Sequence, residues 1–481
     1  MKSRIRRFLL LVVIISCLAY STPQDARGTT DLNLAQPTIV FLPLVSKTCN
    51  TCYYVDSVAG SDTNPGTSID KPWRSLARVN ATQFLPGSKI HFKRGSYWND
   101  ELFIDTSGVN GKPVTFTPYG IGNPPIFSNS GNGSNWTTAI FIQADWIVVE
   151  GFKVSDIHDA GVYIAEGADH NVVRDLEITN VGEGIPVHGQ YNLITQNYIH
   201  DLRMINNTPG GVDDYGAVGV VLTNSNNEVS YNRIIDCIAA SYDFGVDGGA
   251  IEWFGNADNN YVHHNLAIEN AGFLEVGIGS VHGARVVYNV SINNRRFSLL
   301  NLTGNFASDV SDFRVENNTL IEEAEAGRGW VIFGFEGEPD VNTFLVRNNI
   351  LYVENFQAIS NKTTFSHNHN LYSLQSGTVL GFNLSSDEQL ADPRFIDLPN
   401  QDFHLMPSSP AIDAGIDLGY SLDFENHPVP VNTMPDLGAF EHQLISLGLR
   451  CSYNSRHGIG NSTHGRFIQR AAAGQIQTSR P

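Results

Sequence analysis

Short runs of alternating apolar and polar residues recur along most of the chain, and they predict β-strands rather than helices. Six of these runs place an asparagine three positions after a branched apolar residue. The six pairs are Ile194/Asn197, Val229/Asn232, Val262/Asn265, Val286/Asn289, Val315/Asn318 and Val346/Asn349. Their spacings of 35, 33, 24, 29 and 31 residues are typical of a solenoid of stacked parallel strands.

The asparagines suit a sharp corner between two strands. Asn tolerates a left-handed backbone and can hydrogen-bond locally. We expect each one to stack on the asparagine of the next rung, with the side-chain amides bonded to one another. Two earlier segments, 147–154 and 171–178, have the same apolar pattern without the asparagine.

Each predicted rung opens with a further apolar strand. These strands are 161–166, 184–189, 219–224, 249–255, 273–279, 299–304 and 330–335. Because side chains alternate along a strand, Ile251 and Trp253 should point inward and Glu252 outward. The predicted outward column reads Val221, Glu252, Glu275 and Asn301.

Composition agrees with an all-β chain and narrows the range of partners. The 481 residues include 44 glycines, and only 16% are charged. The formal net charge of −19 disfavours nucleic acid as a partner, because phosphate backbones would be repelled. No segment after the N-terminal apolar run is long and apolar enough to predict a transmembrane helix.

The chain resembles the right-handed parallel β-helix proteins, a group rich in polysaccharide lyases and glycoside hydrolases. The resemblance covers roughly residues 53–445 and rests on the repeat and on two flanking segments. "YYVDSVAGSDTNPGTSIDKPWRSLARVN", followed by "PGSKIHFKRGSYW", is similar to the N-terminal module of secreted members. "DPRFIDLPNQDFHLMPSSPAIDAGIDLG" and "PDLGAFEH" resemble a C-terminal closing segment. Both would cap the open ends of the solenoid.

The domain boundaries follow from these segments. Residues 1–21 have a basic start and a short apolar run and predict an export signal. Ordinary signal cleavage and lipidation at Cys17 both remain open, so we expect a secreted or cell-surface protein. The remaining segments are a linker (22–52), the N-terminal module with the β-helix (53–390), the closing segment (391–445) and a tail predicted to be disordered (446–481).

Glu252 and Glu275 are the central candidates for chemistry. Adjacent rungs lie about 4.8 Å apart, so the pKa of one carboxyl should rise unless a cation lies between them. A raised acid could donate a proton, and a carboxylate pair could bind calcium. Two solvated acids on an exposed face remain the alternative interpretation.

Two long insertions, 203–215 and 237–249, should wall a groove beside these acids. The second brings Asp247 next to Glu252, as a third catalytic candidate. His188 would point outward below the pair. The predicted substrate-binding residues are Asp213, Asp214, Tyr215, Tyr242, Asp243, His282 and Arg285.

Three functions remain open at this level. Several acids in one groove favour a glycoside hydrolase acting on a polysaccharide or oligosaccharide. A lyase needs a base next to a uronate, and the absence of lysine between residues 154 and 361 disfavours it. A non-catalytic carbohydrate-binding or adhesive solenoid is the third. The chain is expected to act as a monomer and to need no cofactor. Calcium could bind if the protein is a lyase or a non-catalytic solenoid.

Overall fold

The computed structural model describes residues 51–130, 136–323, 329–375 and 377–443. The export signal with Cys17, most of the linker and the C-terminal tail lie outside these residues. Within the described part of the chain, no helix is long and apolar enough to cross a membrane.

Three long sheets of parallel strands form the faces of the solenoid, and together they enclose one apolar interior. The strands of the first sheet are Cys52–Val55, Lys89–Lys93, Val114–Tyr119, Ile147–Glu150, Val172–Arg174, Leu193–Thr195, Glu228–Ser230, Tyr261–His263, Arg285–Val287, Phe313–Glu316, Phe344–Arg347 and Ser366–Asn368. The strands of the second are Tyr97–Asn99, Ile126–Ser128, Lys153–Ser155, Glu177–Thr179, Tyr198–His200, Arg233–Ile235, Leu266–Ile268, Val290–Ile292, Thr319–Glu323, Ile350–Glu354, Leu371–Gln375 and Gln389–Leu390.

The third sheet carries the predicted opening strands. Its strands are Leu102–Ile104, Thr138–Ile142, Ala160–Ile164, Glu183–Val187, Val218–Leu222, Gly249–Phe254, Leu274–Gly277, Ser298–Asn301, Gly329–Glu336 and Phe356–Ser360. We call it the groove sheet. The three parallel sheets confirm the predicted β-helix architecture.

Smaller elements decorate the solenoid and its ends. A short helix spans Leu76–Asn80, and a 3₁₀ turn spans Leu398–Asn400. Four two-stranded sheets pair Met204–Asn206 with Tyr215–Gly216, Ala239–Ser241 with Gly245–Asp247, Gly279–His282 with Ser308–Ser311, and Phe395–Asp397 with Asp402–Leu405.

The alternation of side chains on the groove sheet follows the predicted register. Ile251 and Trp253 are fully buried in the interior, whereas Glu252 faces outward and is partly exposed. Val221 pairs with Glu252, and Glu252 pairs with Glu275. The last member of the predicted column is wrong: Glu275 pairs with Leu299, not with Asn301. Both residues face the same side of the sheet, so alternation alone does not distinguish a slip of two positions.

The repeated asparagines lie at the corner between the first and second sheets. The backbone N–H and side-chain Nδ2 of Asn265 both donate to Oδ1 of Asn289, at 2.9 and 3.0 Å. Asn289 donates in the same way to Asn318. The left-handed backbone belongs to the residue before each asparagine, for example His264 with φ of 56°. The expected left-handed asparagine is therefore wrong, and its side chain instead satisfies buried backbone groups.

Candidate active site

A cavity of about 1150 Å³ runs over the outward face of the groove sheet. Its floor includes Val221, Glu252, Glu275 and Leu299, which are successive register partners on four neighbouring strands. The two insertions form part of its wall and contribute Tyr215 and Asp247, among other residues. The cavity therefore combines a rigid sheet with loops that vary its shape.

The sequence Asp-Gly-Gly before the Glu252 strand shapes the floor. Gly248 has φ of 111°, and a Cβ there would lie 2.6 Å from the carbonyl oxygen of Ala217. A Cβ on Gly249 would lie 3.4 Å from Oε1 of Glu252, so the glutamate side chain leans over this glycine. Just before the next strand, the side chain of Arg296 passes over Gly272, with its Cγ 3.4 Å from the position of a Cβ. The two glycines leave room for a carboxyl group and for a cation.

The environment of Glu252 favours the protonated form of its carboxyl. Burial raises the pKa of its carboxyl well above the ordinary value, and the neighbouring carboxyls of Glu275, Asp247 and Glu183 raise it further. Among the described residues, no cation offsets this rise in the pKa. Glu252 is therefore suited to hold and donate a proton.

Glu275 lies in a different electrostatic environment, although it is one strand away. Burial also raises the pKa of its carboxyl, but the Arg296 guanidinium and a hydrogen bond from Asn301 act in the opposite direction. Asn301 Nδ2 donates to Glu275 Oε1 at 2.9 Å. Of the pair, Glu275 is therefore the better carboxylate and Glu252 the better acid.

Asp247 brings a third carboxyl into the cavity. It ends the short strand Gly245–Asp247, and its side chain accepts the Gly248 N–H at 2.8 Å. Burial raises the pKa of Asp247 to about 6; the Gly248 N–H and Arg296 lower it, whereas Glu275 raises it. The three predicted catalytic acids thus lie in one cavity and affect one another's ionisation.

Two groups in the cavity were missed from the sequence. Glu183 begins the strand Glu183–Val187, and its burial, with the nearby Asp159, raises the pKa of its carboxyl to about 7. Arg295 and Arg296 also line the cavity. The sequence signal was the adjacent pair Arg295 and Arg296 just before the strand Ser298–Asn301, which the absence of lysine does not reveal.

Asp214 ties the two insertions together. It is buried, and its carboxylate accepts the Thr208 N–H at 2.7 Å, the Ser241 hydroxyl at 2.7 Å and the Asp243 N–H at 3.0 Å. Asp243 in turn accepts the N–H of Asp213 at 3.0 Å. These contacts give Asp214 a structural role in the cavity wall.

The same three aspartates, Asp213, Asp214 and Asp243, bring carboxylate oxygens within 4.8 Å of one another. Oxygen ligands of this kind suit calcium. Their carboxylates already accept hydrogen bonds from the loops. The calcium expected from the sequence was at Glu252 and Glu275, and it stays a prediction.

The aromatic residues of the insertions differ in position. Tyr215 and Phe244 line the cavity with 43% and 47% exposure. Tyr242 is 67% exposed and is not among the residues that line it.

His188 does line the cavity, and Thr223 Oγ1 lies 2.7 Å from its Nδ1.

His282 and Arg285 do not flank the groove as expected. His282 lies on the strand Gly279–His282, within 3.2 Å of Asp258 and 3.5 Å of Asp309. Arg285 lies on the first sheet, with its guanidinium 4.8 Å from the ring centre of Tyr261. The chain has already turned a corner after the Glu275 strand, which directs both side chains away from the cavity.

Comparisons with known proteins agree with this architecture. The family model described as "Right handed beta helix region" matches residues 138–320. The described residues have the right-handed parallel β-helix fold. Two solved structures share the fold. The structure of pectate lyase Pel9A has a TM-score of 0.51 and 16% identity, and the match covers 82% of this chain and 96% of that one. The structure of XylC in complex with xylose has a TM-score of 0.52 and 10% identity, and the match covers 81% of this chain and 99% of that one.

Curated relatives match over shorter stretches. A lacto-N-biosidase of Bifidobacterium longum subsp. longum is 36% identical over 137 residues, which are 27% of this chain and 8% of that protein. The uncharacterized protein YwoF of Bacillus subtilis is 26% identical over 201 residues, which are 36% of this chain and 42% of YwoF. The matches therefore span less than half the length of either relative.

Proposed function

We propose that the protein is a glycoside hydrolase that cleaves a polysaccharide or oligosaccharide in the cavity over the groove sheet. The observation that carries this proposal is the difference between Glu252 and Glu275. They are register partners on adjacent strands, yet among the described residues only Glu275 has a cation and an amide donor that favour its charged form. Glycoside hydrolysis needs one carboxylic acid and one carboxylate.

The roles follow from this difference. Glu252 donates its proton to the oxygen of the glycosidic bond as that bond breaks. Glu275 supplies the carboxylate, as the nucleophile in a retaining reaction or as the base for water in an inverting one. Arg296 favours the ionised form of Glu275, and the negative charge of Asp247 favours the protonated form of Glu252.

The lacto-N-biosidase relative supports the same class of reaction, because its name is that of a glycosidase. The shared stretch is short, so the sugar that this chain cleaves is not carried over from that relative. We further propose that the protein acts outside the cell, either secreted or anchored through Cys17, because residues 1–21 have the pattern of an export signal.

A polysaccharide lyase is the second candidate, because Arg295 and Arg296 line the cavity. An arginine could neutralise the carboxylate of a uronic acid, or act as the base that removes the neighbouring proton. In that reaction the bond breaks by β-elimination and leaves a double bond that absorbs ultraviolet light.

One assay separates these functions. The purified protein is incubated with neutral and acidic polysaccharides, with and without a chelator, and both new reducing ends and ultraviolet absorbance are read. Hydrolysis produces reducing ends without absorbance, whereas elimination produces both. Loss of activity in the chelator would report a calcium requirement, and no product from any polymer would contradict both enzymatic proposals.

Variants assign the reaction to the cavity. Glu252→Gln and Glu275→Gln should each lower turnover by about 10² to 10⁴-fold, the range that proton transfer contributes. Glu177→Gln is the matched control, because Glu177 lies on the second sheet and pairs with Lys153 at the surface. Equal activity in all three variants would contradict the proposed site.

A further inference from the structure

A column of stacked rings leads along the groove sheet towards the acids. Phe103, Phe141, Tyr163 and His188 follow one another from strand to strand, with ring centres 5.5, 5.0 and 4.7 Å apart. The angle between the planes of successive rings is between 17° and 29°. Because each ring covers the face of its neighbour, these rings present mainly their edges to a ligand.

Trp136 is oriented differently from this column. Its ring centre lies 6.4 Å from that of Tyr163, and the two planes meet at 73°. The indole is 46% exposed and lines the cavity. The planes of the stacked rings are roughly perpendicular to the solenoid axis. The plane of the indole is nearly perpendicular to those planes, so it runs roughly parallel to the axis. A sugar chain that follows the groove could therefore lie flat against the indole.

This end of the cavity is separate from the acid pair. Tyr163 lies on the strand Ala160–Ile164, and Glu252 lies three strands further along the groove sheet. At about 4.8 Å between strands, the two positions are about 14 Å apart. A single sugar ring at the acids would not reach Trp136.

The charge at this end disfavours an anionic sugar. Glu183 lies between Tyr163 and the acid pair and is partly ionised at neutral pH, because burial and Asp159 raise the pKa of its carboxyl to about 7. The two arginines among the described cavity-lining residues are Arg295 and Arg296, and Arg296 acts on Glu275 at the opposite end. A uronate at Trp136 would meet the Glu183 carboxyl, and neither arginine has been placed beside it.

We infer that Trp136 and Tyr163 form a distal subsite that binds an uncharged sugar ring of a chain extending to the acid pair. The inference rests on the proposal that the cavity takes a glycan. The preferred ligand is thus an oligosaccharide or polysaccharide with neutral sugars, and the subsite contributes affinity rather than chemistry.

The test measures binding without cleavage. The full-length Glu252→Gln protein is run in native gels that contain arabinoxylan, galactan, galactomannan or polygalacturonate, and retardation gives an apparent Kd for each polymer. Trp136→Ala should weaken binding to a neutral polymer on the order of five- to tenfold, the value of one stacking contact. Trp136→Phe should lose less. Tyr191→Ala is the control, because Tyr191 is 53% exposed and stacks on His170 outside the cavity.

The outcomes separate this inference from the proposed reaction. Unchanged binding in Trp136→Ala, retardation by polygalacturonate alone, or retardation by none of the four polymers would overturn the subsite. Neutral-polymer binding that depends on Trp136, in a wild-type protein that releases no reducing ends, would support the subsite and overturn the hydrolase. Reducing-end release without ultraviolet absorbance from polygalacturonate alone would overturn the neutral-sugar preference and leave hydrolysis intact.

Discussion

Glu322 tests the electrostatic reasoning at a place where no substrate interferes. It lies on the strand Thr319–Glu323 of the second sheet and is 1% exposed. The Ser291 hydroxyl donates to its Oε1 at 3.1 Å, whereas Oε2 has no hydrogen-bond partner among the described residues. Burial raises the pKa of this carboxyl from 4.5 to about 8. As for Glu252, burial raises the pKa of the carboxyl and so favours its protonated form.

The magnitude follows from linkage between protonation and folding. The folded chain holds the Glu322 proton more tightly than the unfolded chain, so the stabilisation is complete below pH 4.5 and is lost as pH rises through 8. At 1.36 kcal/mol per pH unit, the loss between pH 4 and pH 9 is about 5 kcal/mol. Glu322→Gln is uncharged at every pH and should not show it.

Urea denaturation followed by circular dichroism at pH 4 to 9 measures the effect. The difference in the free energy of unfolding between wild type and Glu322→Gln should be small at pH 4 and should reach about 5 kcal/mol in favour of the variant at pH 9. Glu338→Gln is the control, because that carboxylate is 78% exposed. Parallel curves for wild type and Glu322→Gln would refute the reasoning for Glu322 and weaken it for Glu252.

Three further predictions test the site and its scaffold. Arg296→Met should raise the pKa of Glu275, so the acidic limb of the pH–activity profile should move to higher pH; an unchanged limb would show that Arg296 does not act on Glu275. Asp214→Ala removes the acceptor shared by the two insertions, so limited proteolysis should cut within 203–216 or 237–249 faster than in wild type, and equal rates would contradict that role. Asn265→Ala leaves buried donors of the preceding rung unpaired and should lower the free energy of unfolding by about 2–4 kcal/mol in urea denaturation, whereas the surface variant Asn400→Ala should not.

The repeat and the acid pair could be predicted because both depend on strand periodicity. Alternation fixes which face Glu252 and Glu275 occupy, and the stacking of parallel strands makes them neighbours. The slip from Leu299 to Asn301 shows the limit of that pattern, because it preserves the face while changing the partner.

Some of the missed residues lie where no periodicity applies. Arg296 and Trp136 precede strands, in segments whose side-chain directions depend on the conformation of each corner. His282 and Arg285 were assigned to the groove because they follow Glu275 in sequence, but a corner separates them from it. The local sequence therefore predicts which sheet forms the floor of the cavity. Which charged side chains line the cavity depends on the tertiary structure.

The division of roles between Glu252 and Glu275 is the central claim, and leaving-group dependence tests it most directly. The sugar released by the wild-type protein is prepared as a dinitrophenyl glycoside, whose leaving group departs without protonation. We predict that Glu252→Gln recovers most of its lost turnover on this substrate, because it lacks only the acid, whereas Glu275→Gln does not. Recovery by Glu275→Gln and not by Glu252→Gln, or by neither variant, would contradict the account.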